Sequence, residues 1–336
     1  RYSGRELPEQ VRVTLQYGQS GARLQVRTPR ESFELDRIDA VWNRRPSYAS
    51  EPAGIDPRDL AFVRQQNLFL ERALNELSPQ AFWVNPWNAA RSAECKPLQL
   101  LLAPRCGLRI PETLISNDGD EIRAFLDAVG DCIHKPLAGN HWEEDGRLYG
   151  SYTARVRPEL LPSDRMLSVA AAIFQRKLDK AFEVRAQFFG HSCLAVRIDS
   201  AALDYGEFDW RLHQRAAAAN QAIELPASVQ AACRRLLSEL GLVAGAFDFI
   251  VTPEGEWNFL EVNEAGQFLF LEDWVPSLPV IDAFCEFIVS GSYSYRHLAD
   301  EAPPGLSLAE LRRALWGEPG MPAPASAQAS HAPALA

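Results

Sequence analysis

No apolar run in this 336-residue chain approaches the roughly 18 to 20 residues needed to cross a bilayer; stretches such as 98–103 are among the longest. No charged-then-apolar leader opens the chain, so a cytoplasmic location without a membrane partner is expected. The six cysteines (Cys95, Cys106, Cys132, Cys193, Cys233, Cys285) show neither CxxC nor cysteine–histidine spacing, which argues against a zinc site or a secreted disulfide framework. Buried free thiols are the expectation. The six histidines show no i,i+4 pairing, so a histidine-based catalytic or zinc site is not expected. GxxxxGK[ST], GxGxxG, GxSxG and HExxH are all missing, which removes the P-loop, dinucleotide, nucleophile-elbow and zincin readings. A positive balance is missing as well: the net charge of −10 disfavours a general nucleic-acid binder, though it leaves room for a local basic pocket. There is no internal repeat.

What is present is ordinary for a globular protein of two or three lobes, with 47% hydrophobic and 23% charged residues. Residues 11–42 alternate apolar and polar in short runs and read as strands. Helical spacing follows over 56–77, then a short strand at 83–86 and a second helix over 93–106 that stops before a C-cap glycine, Gly107. A strand at 114–115 and a helix over 121–129 precede a strand at 131–136. The stretch LAGNHWEEDGRLYG at 137–150 is too polar for a core element and is expected to act as a mobile flap. Strands are predicted at 170–174, 182–189, 193–198, 244–251 and 256–262, and helices at 226–240, 278–289 and 306–315. The Pro/Ala/Ser-rich tail, 316–336, is expected to be disordered.

The chemistry concentrates in DFIVTPEGEWNFLEVNEAGQ. Asp248 lies on one strand; Glu261 and Asn263, two apart on the next, project to the same face. The turn at 252–255 brings the three oxygen ligands together, and hard oxygen donors without histidine or cysteine suit magnesium. The bland reading is a solvated surface hairpin. Phe247, Phe249, Phe259, Leu260 and Val262 argue against it, because they would bury such carboxylates, and buried carboxylates want a counter-ion.

That stretch resembles the metal-binding hairpin of the ATP-grasp ligases. More narrowly, VWNRRP at 41–46, residues 83–118 and FQRKLDKAFEVRAQFFG at 174–190 resemble the peptide-maturing branch of microviridin-type, or graspetide, macrocyclases. The similarity runs from about Asp39 to Ile288. It implies an α/β chain: an N-terminal Rossmann-like pre-ATP-grasp lobe (1–90, apparently without its first strand and helix), an ATP-grasp domain (91–315) and the tail (316–336). It implies ATP and magnesium, with two ions, and metal ligation by Asp248, Glu261 and Asn263. Lys96 and Lys135 match the two phosphate lysines. Gln175, Lys177 and Leu178 lie in the inter-lobe hinge that holds adenine, and Glu183 matches the ribose acid. Arg185 and Arg211 are the candidates for the reacting end; for Arg185 an ion pair across the strands is the alternative. The sequence departs from the pattern at Glu264, where proline usually follows EVN, and at Lys177, where an aromatic residue is usual.

The implied activity is carboxylate ligation through an acyl phosphate. The implied partner is a ribosomally made precursor peptide with a leader, crosslinked through side-chain ester or amide bonds, and a homodimer is conceivable. Alternatives are a ligase acting on a small molecule or a protein terminus, or a nucleotide- or peptide-binding module without catalysis.

Overall fold

Short alternating runs near the N-terminus pair locally. In the computed structural model, which describes residues 2–7, 9–44, 51, 53–138, 141–144, 147–150, 153–199, 220–297 and 305–316, strands β1 (Arg12–Gly18), β2 (Gly21–Arg27) and β3 (Ser32–Glu34) form an antiparallel meander. Strand β4 (Ala40–Trp42) pairs in parallel with β5 (Phe82–Val84), and helix α1 (Leu60–Glu76) makes the crossover that a parallel pair requires. Leu70 and Leu74 of α1 close the small core over Val11, Val26 and Leu35. The helix begins at Leu60, four residues later than its periodicity suggested. Among the described residues the N-terminal segment shows this single β-α-β unit.

The helix expected over 93–106 is present only as the shorter α3 (Lys96–Leu102), and a separate helix absent from the sequence reading, α2 (Trp87–Ala93), precedes it. Pro97 explains the break. It has no N–H to donate and its ring would strike the carbonyl of Ala93 in a continuous helix, whereas at the start of a new one both faults vanish. Gly107 has φ +90° but is not the expected C-cap, because α3 ends at Leu102 and Ala103 caps it.

A four-stranded antiparallel sheet follows, in the order β10-β7-β11-β6. It contains β6 (Thr113–Ser116), β7 (Cys132–Lys135), β10 (Ala154–Arg155) and β11 (Ala172–Arg176). Helix α4 (Gly119–Val129) packs Ile122 and Leu126 against Cys132 and Phe174 on that sheet. Its N-terminus is fixed by Asp118, whose carboxylate accepts from the N–H groups of Asp120 (2.9 Å) and Glu121 (3.3 Å). The stretch expected as an irregular flap forms a hairpin of β8 (His141–Glu144) and β9 (Arg147–Gly150). Short helix α5 (Asp164–Leu167) leads into β11.

The larger sheet has five antiparallel strands in the order β14-β13-β12-β15-β16. These are β12 (Phe182–Phe189), β13 (Ser192–Ile198), β14 (Gln221–Ala222), β15 (Ala244–Val251) and β16 (Trp257–Asn263). One face is largely apolar, with Arg197 of β13 laid over the Phe182 ring. Phe188, Phe247, Phe249 and Phe259 pack there on Cys233, Leu236 and Leu237 of helix α6 (Ala227–Glu239). The other face is divided. Phe189, Val196 and Ile198 meet α7 (Phe270–Trp274) and α8 (Val280–Ser290) through Phe268, Leu271, Phe284 and Phe287, and Leu308 of α9 (Leu308–Trp316) joins them. The remainder of that face carries polar residues. The tail beyond 316 lies outside the described residues. All six cysteines are free, and Cys106, Cys132 and Cys233 are buried; Cys95 and Cys285 are exposed, against expectation.

Two side-chain amides lock the hairpin to the preceding elements. Asn85, just after β5, accepts from the N–H groups of Val243 (2.7 Å) and Ala244 (2.9 Å) and donates to the carbonyls of Ala244 (2.9 Å) and Glu264 (2.6 Å). All four of its bonding positions are used, and the residue is buried. Gln99 of α3 likewise accepts from Val262 N–H (2.9 Å) and donates to Val262 carbonyl (2.8 Å), so a helix side chain pairs with β16 as a strand would. Replacing Asn85 by alanine is expected to cost about 3 kcal/mol, because several buried backbone groups lose their partner at once. Asn85→Leu, which keeps the volume, should lose as much in urea melts; a variant as stable as the parent would show the amide to be dispensable.

Candidate functional site

The polar half of the larger sheet owes its composition to one irregularity. Along the hairpin, Val251 opposes Trp257, Ile250 opposes Asn258 and Phe249 opposes Phe259; then the register shifts and Asp248 opposes Glu261. The extra residue is Leu260, a β-bulge. Without it Asp248 would face Leu260, and Glu261 would fall on the apolar face with Phe259, since successive side chains alternate. With it, Asp248, Glu261 and Asn263 share one face while Phe247, Phe249, Phe259 and Val262 share the other. Phe259 and Val262 are both buried at a spacing of three, and that spacing is the trace the bulge leaves in the sequence.

Two carboxylates directly opposite one another repel, and each here has its own cation. Arg185 sits across from Asp248 on β12, and its Nη1 donates to both carboxylate oxygens, at 2.9 and 2.7 Å. Its Nη2 donates to the Gln267 carbonyl at 3.3 Å. Asn263 Nδ2 donates to Asp248 Oδ2 at 3.0 Å. Lys96, opening α3, places Nζ 3.0 Å from Glu261 Oε2. The ion pair across strands weighed for Arg185 is thus present, with Asp248 as its partner. Gly266 lets the turn after β16 come down on this cluster: a Cβ there would lie 2.8 Å from Arg185 Nη2 and 2.9 Å from Ala246 Cβ. Burial raises the carboxyl of Glu264, in the same turn, above the ordinary range, with the charges of Glu94 and Glu261 adding to the effect.

A second group lies on the smaller sheet and the chain that leaves it. Lys135 Nζ donates to Gln175 Oε1 at 3.0 Å, and Gln175 Nε2 donates to Thr113 Oγ1 at 2.7 Å, linking three neighbouring strands. The connection to the larger sheet is anchored at both ends: Lys177 N–H donates to the Asp131 carbonyl and Ala181 N–H to the Val251 carbonyl, both within hydrogen-bond distance. Leu178 lies between these anchors. The Lys177 side chain is 4.0 Å from Asp131. Glu183 is buried against Lys180, Nζ to Oε1 2.7 Å, with both side chains only 9% exposed. Lys180 went unnoticed in the sequence, although its place three residues before Glu183 is the available signal. Asn85 and Gln99 were also missed, since nothing local distinguishes them. Arg211 lies outside the described residues.

The donor set fits the expected groups. Asp248, Glu261 and Asn263 offer hard oxygen donors on one face, a set of the kind that suits a divalent cation, and Arg185 and Lys96 neutralise the two opposed carboxylates. Lysines 96, 135 and 180 supply compact cations suited to polyphosphate or a ribosyl phosphate chain. The described residues hold one other grouping, Asp282, Glu286 and His297. Its atoms are already engaged: His297 Nδ1 is 3.0 Å from Glu286 Oε2, the Tyr295 hydroxyl donates to the same oxygen at 2.6 Å, and Asp282 accepts from Leu306 N–H at 3.1 Å.

No protein-family model matches the chain, and no curated protein matches it in sequence. Solved structures do. A RiPP-associated ATP-grasp ligase from Chryseobacterium gregarium, solved with ADP and a leader and core peptide, superposes with a TM-score of 0.82 at 24% identity over 89% of this chain and 91% of that one. The fold is that of the RiPP-associated ATP-grasp ligases. Macrocyclase MdnC from Microcystis aeruginosa MRC, bound with precursor peptide MdnA, gives 0.74 at 27% identity over 86% and 90%. The ATP-grasp ligase PsnB, complexed with minimal precursor, magnesium and ADP, gives 0.66 at 24% identity over 86% and 87%. The connection at 177–181 runs between the four-stranded and five-stranded sheets.

If Arg185 and a divalent cation compete for Asp248, Arg185→Met should destabilise the ligand-free protein by about 3 to 5 kcal/mol, the usual cost of breaking a buried pair. Magnesium should then raise the melting temperature of the variant more than that of the parent. Equal shifts in the two proteins would argue against ligation at Asp248.

Proposed function

We propose that this chain is an ATP-dependent ligase that activates a side-chain carboxylate of a ribosomally made precursor peptide as an acyl phosphate and joins it to a hydroxyl or amine of the same peptide. The observation that carries the reading is the rank Arg185–Asp248–Glu261 across three adjacent strands, with Asn263 and Lys96 bonded into it, on the fold that peptide-bound ligases share.

Each residue then has a task that its surroundings permit. Asp248, Glu261 and Asn263 hold magnesium, which when bound offsets the charge of the phosphates during transfer. Lys96 and Lys135 lie against the phosphates; Gln175, Lys177 and Leu178 border the adenine, and Glu183, steadied by Lys180, faces the ribose. The substrate carboxylate attacks the γ-phosphorus, the bond to the bridging oxygen breaks, and ADP leaves. The incoming hydroxyl or amine then adds to the acyl carbon and expels inorganic phosphate. Arg185 is buried in the sheet with Nη2 on the Gln267 carbonyl, which places its guanidinium to stabilise oxyanion charge. Arg211 is a further candidate for that end.

We also read residues 1–90 as a Rossmann-like pre-ATP-grasp lobe, 91–315 as the ATP-grasp domain and 316–336 as a tail. The partner carries a leader segment, the enzyme works in the cytoplasm, and self-association is compatible with the reading. No described helix is long and apolar enough to cross a membrane.

The test is ATP hydrolysis with magnesium in the presence of a candidate precursor peptide, followed by mass spectrometry of the peptide. Loss of one water per bond formed is expected, and hydroxylamine treatment separates ester from amide products. Asp248→Ala should abolish ADP formation and the mass change together. ADP release on an amino acid or dipeptide, with the peptide unaltered, would point to a small-molecule acceptor, and ADP formation untouched by Asp248→Ala would refute the site.

A further inference from the structure

Two side-chain atoms at this site are buried without a hydrogen-bond partner among the described residues: Arg185 Nε and Gln187 Oε1. They are complementary, one a donor and one an acceptor. They also lie two residues apart on β12, so their side chains leave the same face of the sheet. Native proteins satisfy nearly all such atoms, and an orphan costs stability. Two matching orphans side by side at the functional face therefore call for a state in which they meet.

The surroundings of Arg185 say what prevents the meeting here. Its Nη1 is committed to both oxygens of Asp248 and its Nη2 to the Gln267 carbonyl, while Gly266 brings the turn down against the guanidinium. Gln187 is anchored at its other end, with Nε2 donating to the Phe188 carbonyl at 3.0 Å. Opposite Gln187 stands Ala246, which offers no competing acceptor, and beyond Ala246 is Asn263, already bonded to Asp248. A carboxylate that ligates a cation cannot also serve Arg185 at full strength. A guanidinium buried to this extent, 6% exposed, needs a replacement acceptor when that happens.

We propose that Gln187 is a positioning residue for Arg185: when Asp248 turns to a divalent cation, Arg185 passes its Nε–H to Gln187 Oε1 and is held there over the reacting carboxyl. The proposal rests on the ligase reading above. An amide suits the task better than a carboxylate, because it accepts the hydrogen bond without neutralising the guanidinium, whose charge is then free for the acyl phosphate oxygens.

The test uses the full-length protein and magnesium with ADP, read by thermal melting. Gln187→Met removes the acceptor at similar volume. It should leave the ligand-free melting temperature equal or higher, as expected when a buried orphan is deleted, yet weaken the apparent magnesium affinity about tenfold. Gln187→Glu keeps the acceptor and adds charge, so it should draw Arg185 from Asp248 and strengthen magnesium binding, while raising the ratio of ADP released to crosslinks formed because the guanidinium is quenched. Opposite signs for the two variants support the proposal. A magnesium shift in the parent that both variants share would overturn it and leave the ligase reading standing. No shift in the parent would sink the metal site and the proposal together. A Gln187→Met protein with a lowered melting temperature and equal losses in ADP formation and crosslinking would assign the residue a structural role only.

Discussion

One extra residue in β16 decides which face of the larger sheet carries chemistry. The side-chain period of a strand is two, so inserting Leu260 between Phe259 and Glu261 reverses the facing of everything after it. Phe259 and Val262 can then both reach the core around α6, and Asp248 and Glu261 can stand opposite one another on the other face. A regular hairpin could satisfy the core or the carboxylates, but not both. The bulge is also where the apolar demands of folding and the polar demands of the site are separated.

Placing two carboxylates face to face creates an electrostatic problem that the rest of the site answers. Arg185 and Lys96 come from elements far apart in sequence, a central strand and the first turn of a helix, and each neutralises one acid. Their arrival depends on α3 lying along β16, which Gln99 enforces by bonding the Val262 backbone, and on the turn after β16 closing over Arg185, which Gly266 permits. Asn85 ties the start of β15 and that same turn to the N-terminal unit. The hairpin is thus held on one edge by α3 and at its base by Asn85, and that support keeps the Arg185–Asp248 and Lys96–Glu261 pairs in register on one face. Arg185 bound to Asp248 is the ligand-free arrangement of that face.

Much of this was readable residue by residue. Asp248, Glu261 and Asn263 were singled out from alternation on the hairpin, Lys96, Lys135, Glu183 and Arg185 from the resemblance, and Asp248, Glu261, Asn263, Arg185 and Lys96 do converge. Strand and helix positions were also legible wherever periodicity ran long, as in β12, β15 and α6, because an element that buries one face must write its period into the sequence. Errors fell where that period is interrupted. The helix expected over 93–106 is shortened to α3, which Pro97 opens, with α2 a separate element before it, and residues 141–144 and 147–150 pair as β8 and β9 within a stretch whose composition gives no apolar face. Lys180, Asn85 and Gln99 escaped notice because a polar side chain's partner, when it lies on another element, leaves no local pattern.

The sequence by itself determined the longer elements, their apolar faces and the oxygen donors that share a face of the hairpin, since these follow from residue type and local spacing. Tertiary structure alone decided which ions are neighbours: that Arg185 takes Asp248 and Lys180 takes Glu183, that Leu260 is the residue left out of register, and that Gln187 lies beside Arg185 with its carbonyl unmet. Local spacing sets which way a side chain leaves its own strand. What it finds there depends on strand order and register, and those are fixed by the packing of segments that are distant in the chain.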